Sequence, residues 1–146
     1  MDFSYIAPKL WVGVNPLEAA DLEKLKSRGI DAILSLQSAE DVNDPGWEKS
    51  AAQSAGMAFQ NIPVIDFDTA DLKEQLPRCV KMLDEMIRGG RTVYVHCTAG
   101  VSRSPTVVAA YLHWRQDWPL QKAIECLKDA RDCYPHETAI REARRT

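Results

Sequence analysis

A cysteine and an arginine stand six positions apart in the segment HCTAGVSRSP, which runs from 96 to 105. The residues between them are small or hydroxylated, and a serine follows the arginine. A cysteine thiolate is a strong nucleophile, and the planar guanidinium of arginine can bind two phosphoryl oxygens at once. This spacing therefore predicts a phosphate-binding loop in which Cys97 attacks phosphorus and Arg103 stabilises the transition state.

The other residues of this loop have expected roles of their own. Gly100 suits a position with positive φ, or one with no space for a side chain near the ligand. Ser104 is expected to hydrogen-bond the sulfur and stabilise it as the leaving group. His96 is expected to face inward and to fix the loop through backbone hydrogen bonds. The remaining substrate-binding positions are expected to offer their backbone N–H groups, and they are Thr98, Ala99, Val101 and Ser102.

The segments on either side of the loop are typical of a strand and a helix. Residues 92–95 (TVYV) form an apolar run, and residues 105–112 (PTVVAAYL) favour an apolar helix with Pro105 in its first turn. A tight connection between the two points N–H groups and the positive end of a helix dipole into one concavity. Such a concavity binds a phosphate dianion and stabilises a thiolate at its base.

Strands and helices alternate along the rest of the chain. Helical spacing and breakers predict helices over 17–28, 47–55, 71–88, 104–116, 119–131 and 136–145, and strands over 9–14, 30–36, 58–65 and 92–95, with Pro63 marking a strand end or edge. This succession predicts an α/β fold with a central, mainly parallel sheet flanked by helices on both faces. Repeats and linkers are absent from the sequence, so we expect a single catalytic domain over 1–146.

Composition narrows the expected partners. The net charge is −3, without an extended basic stripe, which argues against nucleic acid, and Arg141, Arg144 and Arg145 are expected on a solvated helix face. The first residues lack a signal pattern, and apolar runs stay below the roughly 20 residues that span a bilayer, so no membrane is expected. Four cysteines lack metal-ligand spacing, so we expect no metal and no cofactor. A thiolate nucleophile requires a reducing compartment, which predicts a cytoplasmic location. We also expect a monomer.

The loop resembles the signature of the cysteine-dependent protein tyrosine phosphatase superfamily, and its Ala-Gly-x-Ser-Arg-Ser form is similar to that of the dual-specificity branch. Residues 5–14 and 29–36 resemble the opening strands and the first core parallel strand of that domain. The resemblance implies hydrolysis of phosphate monoesters through a cysteinyl-phosphate intermediate. It also implies a shallow cleft that admits phosphotyrosine, phosphoserine and phosphothreonine in proteins.

Three other functions fit the loop less well. A phosphoinositide phosphatase often carries lysines inside the loop, and here the five residues between Cys97 and Arg103 are uncharged. A non-catalytic phosphate-binding module usually lacks the cysteine, the arginine or the acid, and here all three are present. A rhodanese-like loop shares the cysteine–arginine spacing but not the upstream acid. A protein phosphatase therefore remains the first expectation.

The leaving group needs a proton that a thiolate cannot supply, so the chain must offer a general acid. The acidic stretch DFDTAD, residues 66–71, lies between a predicted strand and a predicted helix, where a loop can arch over the phosphate. In the family that the chain resembles, the acid is an upstream aspartate at a distance from the nucleophile that Asp66 matches. We assign Asp66 as acid in the first step and base in the second. Asp68 is the rival, and Asp71 is predicted to cap the helix.

A glucan phosphatase is the second candidate. The segments IPVIDFDTADLKEQLP and RDCYPHETAIREA resemble parts of plant starch phosphatases. Trp47, Phe67 and Tyr134 fall where that group presents aromatic rings to a glucan, so a phosphoglucan substrate is an alternative to a phosphoprotein. Ser102 departs from the glycine that this group usually has before the loop arginine, and we expect no carbohydrate-binding module in the chain.

Overall fold

The computed structural model describes residues 1–143. Within that range the strands are β1 (Phe3–Ala7), β2 (Leu10–Gly13), β3 (Ala32–Ser35), β4 (Ala58–Asn61) and β5 (Val93–His96). The helices are α1 (Ala19–Ser27), α2 (Trp47–Ser54), α3 (Thr69–Arg88), α4 (Arg103–Arg115), α5 (Leu120–Ala130) and α6 (Glu137–Glu142). The strand order is β1-β2-β5-β3-β4, in which β1 is antiparallel to β2 and all other pairs are parallel. This confirms the predicted α/β fold with a mainly parallel central sheet.

Two apolar cores lie on opposite faces of the sheet. Successive residues of a strand point to opposite faces, so Ile33 packs with Leu22 and Leu25 of α1, whereas Leu34 packs in the core that contains Val108 of α4. Because both faces are covered, all four residues of β3 and of β5 are buried. Such continuously buried strands are typical of parallel sheets with helices on both sides.

Some predicted element boundaries were wrong. Strand β4 ends at Asn61 rather than at 65, because the register changes by one residue at Pro63: the Ile62 N–H bonds to the Ser35 carbonyl and the Val64 N–H to the Leu36 carbonyl. Helix α3 begins at Thr69, and its cap is Asp68, which accepts the Asp71 N–H at 3.0 Å. Asp71 lies instead in the first turn, where its carboxylate accepts the Ile65 N–H at 2.8 Å. The predicted end of the last helix at 145, with Arg144 and Arg145, lies outside the described residues.

The parallel strands bring three connections to one edge of the sheet. Because β2, β3 and β5 run in the same direction, their carboxyl ends meet there, and such an edge is where α/β sheets bind ligands. The connections that leave these strands begin at residues 14, 36 and 97. The third is the cysteine–arginine loop, and the other two contact it through Asn15 and Gln37. In the described part of the chain, no helix is both long and apolar enough to cross a bilayer.

Candidate active site

The loop of residues 97–102 has every backbone carbonyl oxygen bound by a group outside it. These oxygens and their partners are Cys97 with the His96 ring (2.8 Å), Thr98 with the Asn15 amide (3.1 Å), Ala99 and Gly100 with the Arg131 side chain (3.5 and 3.0 Å), Val101 with the Tyr134 amide (2.7 Å), and Ser102 with the amide and hydroxyl of Thr106 (2.9 and 2.7 Å). Between residues 1 and 143 no peptide bond is cis, so the N–H of each peptide unit points opposite to its C=O. Outward carbonyls therefore turn the N–H groups toward the concave side.

These N–H groups form an anion cradle. Among the described residues, the N–H groups of 98–102 have no protein acceptor. Helix α4 starts directly after them at Arg103, and it adds the positive end of its dipole. Successive free N–H groups next to a helix start are a binding site for a phosphate dianion.

Gly100 is required at its position for two reasons. Its φ is +68°, and a Cβ there would lie 2.7 Å from the backbone carbon and oxygen of Gly13. Any side chain would therefore be strained in backbone conformation and would also push the loop away from β2. The positive φ agrees with the first expectation for this glycine, and the space that is lacking is beside the backbone of Gly13.

The sulfur of Cys97 lies at the base of the cradle. Its side chain is buried, and Sγ is 3.2 Å from the Ser104 hydroxyl. The sequence predicts this contact, and Ser104 is fully buried in the first turn of α4, so its hydroxyl is held near the sulfur.

Most of the donors of Arg103 are already bound. Its Nη1 donates to Asp41 Oδ2 and to the Val64 carbonyl, both at 2.8 Å, and Nη2 donates to Asp41 Oδ1 at 2.9 Å. The end of the guanidinium therefore grips a carboxylate of the protein. The Nε–H and the second hydrogen of Nη2 share the other edge, which makes two long contacts of 3.4 Å, one from Nη2 to the Thr98 hydroxyl and one from Nε to Asp66 Oδ1. This edge can bind two phosphoryl oxygens.

Asp41 is a site residue that the sequence analysis missed. Besides Arg103, it accepts the amide of Ser38 at 2.8 Å and the hydroxyl of Thr98 at 2.9 Å. The hydrogen bond from Arg103 holds the pKa of this carboxyl well below its usual range. Burial is the largest single influence on Arg103 and works against its charge, but the hydrogen bond to Asp41 and the surrounding negative charges together outweigh it, so the pKa of Arg103 is raised. One feature of the sequence could have pointed to Asp41. It is a carboxylate in the polar segment after β3, and the carboxyl end of β3 lies beside the loop.

Asp66 and Asp68 point to different partners. Asp66 Oδ1 is 3.4 Å from Arg103 Nε, on the edge left for phosphate, and its side chain is 42% exposed. Asp68 is occupied as the cap of α3. The geometry therefore favours Asp66 over Asp68 for proton transfer to a bound ester.

The three aromatic residues lie in different surroundings. Phe67 follows Asp66, has φ +60° and is fully exposed, at 101%. Tyr134 is 66% exposed and is tied to the loop through its amide bond to the Val101 carbonyl. Trp47 begins α2 and lines a groove of about 780 Å³ that reaches Asp41. Phe67 and Tyr134 thus stand beside the loop, whereas Trp47 belongs to the neighbouring groove.

The other three cysteines are protonated. Burial raises the pKa of the Cys79 thiol to about 12 and also raises the pKa of Cys126 and of Cys133. Within residues 1–143, no cluster of three or more His, Cys, Asp or Glu side chains could hold a metal ion.

Comparison with known proteins assigns the class. Residues 10–141 match the family described as "Dual specificity phosphatase, catalytic domain", so the chain carries the catalytic domain of a cysteine-dependent phosphatase. It belongs to the dual specificity phosphatase family, as the loop resemblance implies.

Curated relatives include proteins with different named substrates. The chain is 34% identical to "Phosphoglucan phosphatase DSP4, amyloplastic" of Castanea sativa, with 98% of this chain and 40% of that protein covered. It is 29% identical to laforin of Mus musculus (98% and 48% covered) and 32% identical to "Dual specificity protein phosphatase 12" of Homo sapiens (84% and 34% covered). The chain thus spans less than half the length of these relatives.

Solved structures share the fold. The phosphatase PTP-2 of Cydia pomonella has a TM-score of 0.80 at 22% identity, with 97% of this chain and 88% of that chain covered. A mouse putative dual specificity phosphatase, solved with zinc tungstate, has a TM-score of 0.74 at 26% identity, with 97% and 85% covered. At 22% identity, the similarity to PTP-2 shows a shared fold and no more.

Proposed function

We propose that this chain hydrolyses phosphate monoesters through a cysteinyl-phosphate intermediate on Cys97. The observation that carries the proposal is the cradle: six outward-bound carbonyls leave the N–H groups of 98–102 facing inward, above a buried sulfur and beside the open edge of Arg103. We also propose that residues 1–146 act as one catalytic domain and that the protein is cytoplasmic.

The first step transfers the phosphoryl group to sulfur. The Cys97 thiolate attacks phosphorus, and the bond from phosphorus to the ester oxygen breaks. The cradle and Arg103 bind the three equatorial oxygens as the transition state flattens. Asp66 gives its proton to the departing oxygen, which leaves as an alcohol or a phenol.

The second step regenerates the enzyme. Asp66, now ionised, takes a proton from a water molecule that attacks phosphorus, and the sulfur–phosphorus bond breaks. Inorganic phosphate and the Cys97 thiolate are the products. The Ser104 hydroxyl, 3.2 Å from Sγ, donates a hydrogen bond to the departing sulfur and stabilises its negative charge.

The favoured substrate is a phosphoprotein with dual specificity for phosphotyrosine and phosphoserine or phosphothreonine. Val101 at the mouth of the loop is exposed, and the residues between Cys97 and Arg103 carry no charge. An open, uncharged mouth imposes no second charged group on the substrate. The human relative named as a dual specificity protein phosphatase supports the same choice.

A phosphoglucan is the second candidate, and the exposed aromatic rings favour it. Phe67 holds a left-handed backbone conformation that costs about 1–2 kcal/mol for a residue with a side chain, and its ring gains no burial in return. Tyr134 presents a second exposed ring beside the loop. Flat rings of this kind can stack on sugar faces, and two of the relatives described above are a plant phosphoglucan phosphatase and laforin.

A substrate panel at fixed enzyme concentration tests both candidates. It contains phosphotyrosine and phosphothreonine peptides, an inositol phospholipid and phosphorylated amylopectin, each measured by phosphate release. Turnover of both peptides above that of amylopectin supports the protein phosphatase, and the reverse order supports the glucan phosphatase. Hydrolysis of none of them, with an intact fold, would contradict the proposal.

Two alanine variants sharpen the choice of substrate. If the rings bind a glucan, Phe67→Ala and Tyr134→Ala should lower kcat/KM for amylopectin while the rate on para-nitrophenyl phosphate stays unchanged. Tyr5→Ala, at an exposed aromatic residue of β1, is the matched control. An equal loss on both substrates would assign the rings to the loop structure instead.

A further inference from the structure

His96 makes two polar contacts inside the protein. It ends β5 and is fully buried, at 0% exposed. Its Nδ1 is 2.8 Å from the Cys97 carbonyl oxygen, and its Nε2 is 2.6 Å from Oε2 of Glu48, which lies 48 positions earlier in the first turn of α2. The reaction steps proposed above do not use this second contact.

The partners of the ring determine its protons. A carbonyl oxygen only accepts hydrogen bonds, so Nδ1 must carry a hydrogen. Nε2 and the Glu48 carboxyl then share a proton, because two lone pairs facing each other at 2.6 Å would repel. Glu48 lies in the first turn of α2, where the helix dipole is favourable to a carboxylate. A salt bridge between an imidazolium and this carboxylate satisfies both contacts of the ring.

The ring depends on Glu48 for this charge. Its other close neighbour is the Tyr94 ring, stacked at 5.8 Å, and burial raises the pKa of the Tyr94 hydroxyl, so that group stays neutral. Among the described residues, Glu48 is the only ionisable side chain hydrogen-bonded or ion-paired to His96. A buried cation without an anionic partner loses its proton instead of remaining charged.

We propose that Glu48 is a positioning residue for the nucleophile. By holding the second proton on His96, it keeps a positive charge next to Cys97, and that charge favours the thiolate. It also fixes the ring whose Nδ1 holds the Cys97 carbonyl outside the cradle, which turns the Thr98 N–H inward. The inference rests on the proposed function for the identity of the nucleophile.

The test is Glu48→Gln, because an amide N–H can still bond to Nε2 but removes the need for a second ring proton. We expect ¹⁵N NMR of His96 to change from two protonated ring nitrogens to one. Alkylation of Cys97 by iodoacetamide at pH 6, followed by mass spectrometry, should slow about tenfold. The kcat should fall with KM nearly constant, because the cradle remains.

Glu137→Gln is the matched control. Glu137 is also a first-turn glutamate, but it pairs with Arg141 on the exposed face of α6. This variant should leave the ring signals of His96 and the alkylation rate unchanged. Unchanged ring signals or an unchanged alkylation rate in Glu48→Gln would overturn the proposal.

A double variant separates the role through His96 from a general role in packing. In a His96→Asn background, Glu48→Gln should slow the alkylation no further. A second loss of equal size there would show that Glu48 acts independently of His96, and the proposal would be wrong. If the wild-type chain alkylates at Cys97 but hydrolyses no phosphate ester, the proposed function fails while the ring signals and alkylation still decide the role of Glu48.

Discussion

The phosphate loop and the acid segment at 65–68 serve the same reaction but are built in opposite ways. In the loop, all six carbonyls from Cys97 to Ser102 have partners outside it. In the acid segment, Ile65 and Phe67 are exposed, and the backbone N–H groups bond to near neighbours in sequence: Ile65 to Asp71 (2.8 Å), Phe67 to Asp66 (3.1 Å) and Asp68 to the Ile65 carbonyl (3.4 Å). Phosphate binding is therefore prearranged on folding, whereas the proton donor sits on an exposed segment held by local bonds, which can adjust to different leaving groups.

The largest expected effect concerns the phosphate loop, which is the rigid part of this comparison. Cys97→Ser should abolish turnover, because a serine hydroxyl in the cradle stays protonated and is a poor nucleophile. Binding of a phosphate ester should persist, since the N–H groups remain. Steady-state kinetics and isothermal titration calorimetry measure the two properties separately. Substantial residual turnover would remove Cys97 from its assigned role.

The next effect concerns the acid segment, which is the part that can adjust. Asp66→Asn should slow alkyl phosphates by on the order of 10²–10⁴ and para-nitrophenyl phosphate less, because nitrophenolate leaves without a full proton. Asp68→Asn, the matched variant two positions away, should show no such dependence on the leaving group, since asparagine still caps a helix. If the dependence appears in Asp68→Asn alone, the acid is Asp68.

Asp41→Asn should weaken the phosphate loop, because Asp41 accepts two hydrogen bonds from Arg103. Removing a buried partner leaves the guanidinium uncompensated, so the free energy of unfolding at pH 7 should fall by on the order of 3 kcal/mol, together with kcat/KM. The folded-state pKa of Asp41 is lowered, so its stabilisation is present above the unfolded pKa of about 3.9 and is lost as pH falls through the folded value. Urea unfolding should therefore show the gap between the two proteins narrowing below about pH 4. A constant gap would contradict the ion pair.

The smallest effect concerns backbone strain in the acid segment. Phe67→Gly relieves a positive φ without losing burial, although glycine gains freedom in the unfolded chain. The free energy of unfolding should therefore rise by less than about 1 kcal/mol. Leu17→Gly, at an exposed residue outside the positive-φ set, should instead be destabilising. A clear loss of stability in Phe67→Gly would mean that the ring supports the fold.

The local part of the site could be predicted from the sequence, and the long-range part could not. The strand, loop and helix around Cys97 follow from consecutive residues, and so do the positive φ of Gly100 and the contact of Ser104. Asp41 reaches Arg103 across 62 positions, and Glu48 reaches His96 across 48. A periodic pattern carries no information about such pairings.

The misassigned helix cap has a different cause. Asp68 and Asp71 both suit the start of α3, and only the structure shows that Asp68 accepts the amide while Asp71 turns back to Ile65. Trp47 was also hard to place from the sequence, because its position depends on how α2 packs beside the sheet. Its groove adjoins Asp41 rather than the rings of Phe67 and Tyr134.

The outward-bound carbonyls have a consequence for how the protein responds to its own product. The cradle is held by Asn15, Arg131, Tyr134 and Thr106, so its shape does not depend on the organic part of the ester. A receptor preformed in this way recognises any tetrahedral dianion, including the inorganic phosphate released at each turnover. Free phosphate then competes with substrate for the same donors, so the ambient phosphate concentration sets the fraction of molecules that are available for a new cycle.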